Sequence, residues 1–248
     1  MLNQKLTKLK HIALQIRLDT LRIIYEAGSG HLGSAMSVIE LLTALYFSGI
    51  LKYNSDKPNC LSRDYFLLSN GHACPALYCV LARAGFFTKD KLENNLFKIN
   101  TGLEGHPLRG SLPGIEISSG SLGMGLSAGV GIALGLRLNH QENKVVVMMS
   151  DGEQQEGSTW EAVMAAAHYK LNNLIAIVDN NRIQIGGWIE KNMGIEPLAK
   201  KYQSFGWQAI NINGHNFTHI IKAFSRADKS KKPIVIIAKT IPAKGIPT

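Results

Sequence analysis

Hydrophobic residues recur at helical spacing in several segments of the chain. In the first segment, Leu9, Ile12 and Ile16 recur every three or four residues, which places them on one face of a helix. The stretch from Gly28 to Gly33 has the composition of a turn and separates this helix from the next. The pattern predicts helices over 4–27, 35–47, 75–84, 159–169 and 217–227.

Short apolar runs between the helices are typical of buried strands. They predict strands over 65–68, 145–149, 174–178, 208–212 and 234–238. Strands that alternate with amphipathic helices form a parallel sheet with helices on both faces, because parallel strands need a crossover connection. The sequence therefore predicts an α/β fold in which ligands bind at the carboxyl ends of the strands.

One glycine-rich stretch, residues 120–138, resembles a membrane span because it carries no charge before Arg137. It is shorter than the roughly 20 apolar residues that a bilayer requires, and glycines and serines dilute it. We expect a buried, glycine-lined helix instead. The glycine- and proline-bearing connection over 100–123 has a length that is usually functional and often closes over a ligand.

Length and composition favour one large domain over 1–248, since 45% of the residues are hydrophobic and 18% are charged. The tail 240–248, with two prolines and a glycine, resembles the start of a linker. Cys60, Cys74 and Cys79 form neither a C-x-x-C pair nor a zinc-type spacing, which favours a reducing cytoplasm. The basic amino terminus lacks the apolar core of a signal peptide.

The net charge of +9 raises the question of nucleic-acid binding. Lys and Arg are scattered along the chain, with small clusters only near the start and at 229–232. A solvated basic face is the commoner cause of such a charge. We therefore expect neither a nucleic-acid partner nor a membrane partner.

Two polar motifs follow consecutive strands of the predicted sheet. The sequence SDG at 150–152 comes after one strand, and DNN at 179–181 comes after the next. Either motif alone is explained by a turn, because Asp and Asn commonly begin turns after strands. Together they place the Asp151 carboxylate and the Asn181 amide at the carboxyl edge of neighbouring strands. Oxygen ligands at such an edge suit Mg²⁺, whose remaining positions are usually filled by phosphate oxygens and water.

Longer segments around these motifs resemble transketolases. The run SDGEQQEG, the helix TWEAVMAAAHYKL and the segment NLIAIVDNNRIQIGG are similar to the thiamine diphosphate signature of that family. The segments SGHLG, SNGHACPALY, EGHP, GSLGMG and FGWQAININGH also resemble transketolase segments, in the same order. The resemblance spans nearly the whole chain and is closest to split transketolases, in which the amino-terminal, diphosphate-binding part is a separate polypeptide.

The resemblance implies a site for thiamine diphosphate and a divalent metal, Mg²⁺ or alternatively Ca²⁺ or Mn²⁺. It implies that Asp151, the Asn181 side chain and the Ile183 carbonyl bind the metal, with Gly152 at the diphosphate. It also implies that the diphosphate-binding domain has the thiamine-diphosphate-binding fold of that family. The further cofactor-binding residues that it implies are His72, Gly120, Ser121, Leu122 and Glu156.

Three histidines are implied to act on the substrate: His31, His72 and His106. For any one of them, a solvated or hydrogen-bonded imidazole without a function is the commoner case. All three follow a glycine on predicted loops, where imidazoles can converge on a ligand. The resemblance implies that they donate hydrogen bonds to sugar hydroxyls and to the oxygen that gains charge in the reaction.

Acidic residues near the metal loop have two interpretations. In the family, residues such as Glu156 and Glu161 lie at the subunit interface and couple two active sites. Alternatively, they form an ordinary acidic first turn that complements a helix dipole. The two interpretations are equally compatible with the sequence.

The implied activity is that of a transferase: transfer of a two-carbon ketol group from a ketose or its phosphate to an aldose or its phosphate. In the family, a glutamate from a pyrimidine-binding domain activates the cofactor, and we expect the 248 residues to be taken up by the diphosphate-binding domain alone. We therefore expect a carboxyl-terminal partner subunit in a heterotetramer with two of each chain, acting in carbohydrate metabolism.

Three departures from the family pattern bear on the substrate. Ser150 replaces the first glycine of the signature, and Leu32 and Ser121 stand where prolines are usual. They leave a specialised sugar possible in place of the usual phosphorylated pentose. The sequence is also compatible with a thiamine-dependent reaction on a 2-oxoacid, and with a regulatory subunit without catalysis.

Overall fold

The computed structural model describes residues 2–185 and 187–247. Helices and parallel strands alternate along most of the chain. The helices are α1 (Leu2–Ala27), α2 (Leu32–Ser37), α3 (Ile39–Phe47), α4 (Cys74–Arg83), α5 (Met124–Leu138), α6 (Gly157–His168), α7 (Ile189–Asn192), α8 (Leu198–Ser204) and α9 (Phe217–Ala227). The strands are β1 (Tyr65–Leu68), β2 (Val145–Ser150), β3 (Leu174–Asn180), β4 (Ile183–Gln184), β5 (Gly187–Trp188), β6 (Gln208–Asn213) and β7 (Ile234–Lys239).

Five strands form one sheet in the order β1-β2-β3-β7-β6, and all their pairings are parallel. The predicted parallel sheet is therefore confirmed. In the register of β2 and β3, Ser150 lies opposite Asp179. The strand ends that carry the two polar motifs are consequently neighbours, as the sequence predicts. A separate two-residue hairpin, β4-β5, follows β3 and is antiparallel.

Two hydrophobic cores lie on opposite faces of the sheet. Along β2, Val146 and Met148 face a core that includes α1, α3, α4 and α9, whereas Val147 and Met149 face a second core that includes α5, α6 and α8. Alternate residues of a strand point to opposite faces, so a strand covered on both sides reads as a continuous apolar run. This explains the uninterrupted sequence of apolar residues in β2.

The structure corrects the helix predicted over 35–47. Helix α2 begins earlier, at Leu32, inside the stretch predicted as a turn, and the helical run is interrupted at Val38. The Ser37 hydroxyl donates to the Asp179 carboxylate at 2.6 Å and lies 2.9 Å from the Ser34 carbonyl. The bond to Asp179 ties the end of α2 to the end of β3, beside the interruption.

The end of the described chain packs against the domain. Thr240 donates its amide to the Asn180 carbonyl, and the amide of Ala243 donates to the carbonyl of Gly33. These contacts hold residues 240–247 beside the carboxyl ends of β3 and β7. Among the helices of the described residues, none combines the length and hydropathy needed to cross a membrane.

Candidate active site

Asp151 is the first residue after β2 and begins a single 3₁₀ turn over Gly152–Gln155. Its side chain is buried, with 1% exposure. One carboxylate oxygen accepts from the Gly152 amide at 2.8 Å, and the other accepts from the Arg182 amide at 2.6 Å. Arg182 adopts a left-handed backbone with φ +66°, directly after the strand end.

Asn181 lies after β3, on the neighbouring strand end, and is also buried. Its amide nitrogen donates to the Asp179 carboxylate at 3.0 Å, and its Oδ1 accepts from the Ile183 amide at 2.9 Å. Ile183 begins the β4-β5 hairpin. The structure therefore brings the three residues implied as metal ligands to two adjacent strand ends and the hairpin beside them.

The electrostatics of this edge fit a cation. Burial raises the pKa of Asp151 to about 7; the Arg182 amide opposes this rise and the nearby Asp179 carboxylate adds to it. No cationic side chain in the described part of the chain forms an ion pair with Asp151. A buried carboxylate without a cationic partner is costly. The edge offers two kinds of oxygen ligand, the Asp151 carboxylate and the Asn181 amide, and both suit a hard divalent cation.

A second buried carboxylate, that of Glu153, accepts hydrogen bonds from residues of three separate segments. One oxygen accepts from the Ser69 hydroxyl and from the Gly123 amide, the latter at 2.8 Å, and the other accepts from the Ser150 amide at 3.2 Å. We call Glu153, Ser69, Gly123 and Ser150 the Glu153 cluster. It joins the loop after β1, the turn before α5 and the turn after β2, each of which carries implied site residues.

A third buried carboxylate, Asp179, is the centre of another cluster. It accepts from the hydroxyls of Ser37 and Thr240 and from the amide nitrogen of Asn181. Burial raises its pKa, and the side-chain donors oppose the rise. We call Asp179, Ser37, Asn181 and Thr240 the Asp179 cluster. It joins α2, the end of β3 and the segment after β7.

The three implied substrate histidines converge in the structure. The His31 ring centroid lies 5.3 Å from that of His72 and 6.4 Å from that of His106. Burial, followed by the neighbouring His31 and His106, lowers the pKa of His72 to about 4. Burial and His31 also lower the pKa of His106. The imidazole of His72 is therefore neutral at pH 7, with one nitrogen that donates and one that accepts.

The turn implied to contact the cofactor ring lies against these histidines. A side chain at Gly120, whose φ is +144°, would lie 3.5 Å from the His106 ring. Ser121 is exposed and Leu122 is half-buried. Glu156 is exposed at the start of α6, and its side chain packs beside Gly123, near this turn but outside the histidine cluster.

A pair of glutamines fixes the β4-β5 hairpin to the turn after Asp151. The Gln155 amide nitrogen donates to the Gln184 oxygen at 3.0 Å, and the Gln184 amide nitrogen donates to the Gln155 oxygen at 2.9 Å. Gln184 also covers Gly152, because a Cβ at Gly152 would lie 3.5 Å from its side chain. The pair holds the Ile183 backbone near the Asp151 turn.

A cavity of about 950 Å³ opens beside this site, at the carboxyl ends of β3, β7 and β6. Its lining includes Asn180, Arg182, His215, Lys239 and Lys244. The histidine cluster and Asp151 do not line it. His215 has a structural role here, since Nδ1 lies 2.9 Å from the Glu40 carboxylate and Nε2 accepts from the Ile241 amide.

Sequence reasoning missed Glu153 and the role of Asp179. Glu153 lies in the same motif as Asp151, and Asp179 lies in the same motif as Asn181. Both acidic side chains have almost no exposed surface. An acidic residue is rarely fully buried unless it is paired. Their positions at the carboxyl edge of the sheet were a usable signal, but the donors come from segments distant along the chain.

Comparison with known proteins identifies related chains. The family described as transketolase, thiamine diphosphate binding domain, matches residues 9–248. The chain is 41% identical over 231 residues to an apulose-4-phosphate transketolase subunit of Phocaeicola vulgatus, covering 93% of this chain and 81% of that one. It is 40% identical over 238 residues to 6-deoxy-6-sulfo-D-fructose transketolase subunit SqwG of Clostridium sp. strain MSTE9, covering 96% and 86%.

Longer proteins contain the same fold. The structure superposes on transketolase from Campylobacter jejuni with a TM-score of 0.90 at 33% identity, covering 96% of this chain and 38% of that one. Transketolase from Leishmania mexicana gives a TM-score of 0.90 at 31% identity, covering 96% and 37%. The chain thus spans little more than a third of these enzymes, and the expected fold is confirmed.

Proposed function

Because this chain belongs to the transketolase family, we propose that it is the diphosphate-binding subunit of a thiamine diphosphate-dependent transketolase. The reaction would transfer a two-carbon ketol group from a ketose, or its phosphate, to an aldose or its phosphate. The observation that carries this proposal is the arrangement of buried Asp151 and Asn181 on adjacent strand ends. Three converging histidines beside that edge support it.

The residues at the sheet edge fit a metal-bound diphosphate. Asp151, the Asn181 oxygen and the Ile183 carbonyl would hold Mg²⁺, because the set offers only oxygen ligands. Ca²⁺ or Mn²⁺ would use the same ligands. Gly152 would lie at the diphosphate, with its amide donating to Asp151 and the Gln184 side chain beside it. The other residues that would hold the cofactor are His72, Gly120, Ser121, Leu122 and Glu156.

Thiamine diphosphate would supply the carbanion-stabilising chemistry that breaks and forms carbon–carbon bonds. The contribution of this chain is to orient and to stabilise charge. His31, His72 and His106 would hold the sugar hydroxyls and donate hydrogen bonds to the carbonyl oxygen as it gains negative charge. Neutral His72 can act either as donor or as acceptor there without adding charge.

A partner subunit would complete the site. Two relatives are named as transketolase subunits, and the solved enzymes are more than twice as long as this chain. We propose a carboxyl-terminal partner that carries the pyrimidine-binding domain, in an assembly of two of each chain in the cytoplasm. Exposed Glu156, together with exposed Glu161 on α6, would lie at the interface between the subunits.

The substrate is proposed to be a sugar or sugar phosphate, with a specialised sugar as the second possibility. The two relatives of similar length are named for apulose 4-phosphate and 6-deoxy-6-sulfo-D-fructose, which are unusual sugars. Leu32 and Ser121, which depart from the family pattern, border His31 and the turn beside His106. They are positioned to change the shape of the sugar site.

Reconstitution tests the proposal. The chain, co-expressed with its partner and supplied with Mg²⁺ and thiamine diphosphate, should transfer ketol groups from ketose phosphates to aldose phosphates and leave pyruvate unused. Turnover of pyruvate without an acceptor sugar would replace ketol transfer with 2-oxoacid chemistry. Cofactor binding without any turnover would favour a regulatory subunit.

Substitution of Asp151 isolates the metal site. Asp151→Asn should lower the affinity for thiamine diphosphate with Mg²⁺ by about 100-fold or more, since loss of supporting residues alone costs about 10–100-fold. Without cofactor the variant should be about 1–2 kcal/mol less stable than the parent, because its NH₂ group cannot accept from whichever of the Gly152 and Arg182 amides it faces. Asp56→Asn, the same exchange at an exposed site, is the control. Equal affinity in Asp151→Asn and the parent, by calorimetry, would refute the metal assignment.

A further inference from the structure

Asn181 can serve a metal only if its carboxamide oxygen faces the ion, and a carboxamide can turn by 180° with little change of shape. A turned amide would present an NH₂ group, which cannot coordinate a cation. The site therefore needs a group that distinguishes the two ends of the amide. Candidates for that group lie within hydrogen-bond distance of Asn181.

The partners of Asn181 determine its orientation by chemistry on both sides. The Asp179 carboxylate, 3.0 Å from Nδ2, only accepts hydrogen bonds when ionised, so it selects the NH₂ end. The Ile183 amide, 2.9 Å from Oδ1, only donates, so it selects the oxygen end. A carboxamide oxygen has two lone pairs, and the Ile183 amide occupies one of them.

Asp179 is itself held rigidly. Its side chain has no exposed surface, and Ser37 donates to Oδ2 at 2.6 Å while Thr240 donates to Oδ1. These donors come from α2 and from the segment after β7. The carboxylate therefore cannot rotate away from Asn181 without breaking hydrogen bonds to two other parts of the fold.

We infer that Asp179 is a positioning residue that fixes the Asn181 carboxamide with its oxygen toward the metal. The inference rests on the proposed function in one respect, the role of Asn181 as a metal ligand. Asp179 touches neither metal nor cofactor in this arrangement. It acts as the hydrogen-bond acceptor of the Asn181 NH₂ group. The metal site requires this acceptor and does not require the charge of Asp179.

Two uncharged substitutions separate orientation from charge. Asp179→Ala removes the acceptor and should weaken Mg²⁺ binding about 10–100-fold, the usual cost of losing a residue that supports a metal ligand. Asp179→Asn keeps one oxygen that can face Asn181 while its NH₂ meets the Thr240 hydroxyl, so it should stay within about threefold of the parent. Calorimetric titration of Mg²⁺ into the assembled enzyme with thiamine diphosphate measures both. Equal loss in the two variants would show that charge matters instead and would overturn the inference.

Further variants separate this inference from the proposed function and from simple loss of stability. Asn181→Ala tests the metal ligand: if it binds Mg²⁺ as tightly as the parent, the metal assignment itself is wrong. If Asn181→Ala binds weakly and Asp179→Ala binds normally, only the positioning role is wrong. Thr240→Val, which loses a bond to the other carboxylate oxygen, should lower thermal stability and leave Mg²⁺ affinity within about twofold.

A measurement on the unchanged chain covers the case in which Asp179→Ala does not fold. Nuclear magnetic resonance of the full chain should show the Asn181 side-chain NH₂ as an ordered pair of protons with slow solvent exchange before any metal is added. The assignment follows from its loss in Asn181→Asp. An NH₂ pair that rotates or exchanges freely in the parent would overturn the inference.

Discussion

Two buried carboxylates flank the Asp151 turn and differ in the donors that satisfy them. Glu153 accepts from two backbone amides, those of Gly123 and Ser150, and from one hydroxyl. Among the described residues, Asp179 accepts from side chains alone, those of Ser37, Asn181 and Thr240. The Glu153 cluster thus depends on the path of the backbone, and the Asp179 cluster depends on side-chain identity.

This difference predicts which substitutions break each cluster. Backbone donors are placed by loop conformation, as at Gly123, where φ is +82°, a value that favours glycine. Side-chain donors are lost by a single atom exchange that leaves the backbone unchanged. Steric changes at glycines should therefore damage the Glu153 cluster, and removal of hydroxyls should damage the Asp179 cluster.

The largest effect should come from Gly125→Ala on α5. The Gly125 amide donates to the Ser69 hydroxyl oxygen at 3.1 Å, and a Cβ there would lie 2.9 Å from the Ser69 Cα, a contact with backbone that cannot be relieved cheaply. Overpacking of this kind costs about 3 kcal/mol. Denaturant unfolding should show this loss, together with weaker cofactor binding because Ser69 leaves Glu153.

Gly131→Ala on the same helix is the matched control. Gly131 is exposed, and a Cβ there would meet nothing within 4 Å. Alanine is the better helix former, so this variant should gain about 0.5–1 kcal/mol of unfolding free energy. Equal changes in the two variants would mean that contact with Ser69 does not limit Gly125.

The free energy of unfolding should also depend on pH through His72, which follows Ser69 of the Glu153 cluster in the same loop. The pKa of His72 is lowered from 6.5 to about 4 in the folded protein, so the unfolded chain binds the proton more tightly. Stability is therefore complete above pH 6.5 and falls as the pH decreases toward 4. Between pH 7.5 and 5 the loss should be about 2 kcal/mol from this residue.

His72→Gln should remove most of that acid-dependent loss, while the exposed His11→Gln should retain it. Unfolding curves of the three proteins at the two pH values measure the difference. A His72→Gln variant whose stability falls as steeply as that of the parent would assign the pH dependence to other groups.

Glu153→Gln should cost about 2 kcal/mol. A glutamine amide nitrogen cannot accept a hydrogen bond, so at least one buried amide, Ser150 or Gly123, loses its partner whichever way the side chain is turned. The exposed Glu156→Gln, three residues later, should leave the unfolding free energy unchanged. If Glu153→Gln were as stable as Glu156→Gln, the backbone amides would have found other acceptors.

The two clusters also show what the sequence can and cannot predict. Apolar runs predict β2 and β3, and consecutive strands of a parallel sheet are often neighbours, so the proximity of Asp151 and Asn181 follows from pattern and topology. Burial of Glu153 and Asp179 does not follow, since Ser69 and Gly123 lie 84 and 30 residues from Glu153, and Thr240 lies 61 residues from Asp179. Pairing over such separations is decided by tertiary packing.

Short elements escaped prediction for a related reason. The β4-β5 hairpin, α7 and α8 are two to seven residues long, too short for a hydrophobic period to emerge. The hairpin nevertheless carries Ile183, and the Gln155–Gln184 pair that fixes it is a tertiary contact. Site residues on long elements were therefore easier to place than those on short ones.

The smallest effect should come from Thr240→Val, which tests how much one side-chain donor of the Asp179 cluster stabilises the fold. Thr240 donates to the buried Asp179, whereas the buried Thr43 hydroxyl on α3 has no hydrogen-bond partner among the described residues. The same exchange should therefore cost about 1 kcal/mol at Thr240 and be neutral or stabilising at Thr43. Because Thr43→Val removes the same atoms from a buried site, the difference between the two unfolding free energies isolates the hydrogen bond. Equal values would mean that Asp179 does not need the Thr240 donor, and that the cluster is held by Ser37 and Asn181.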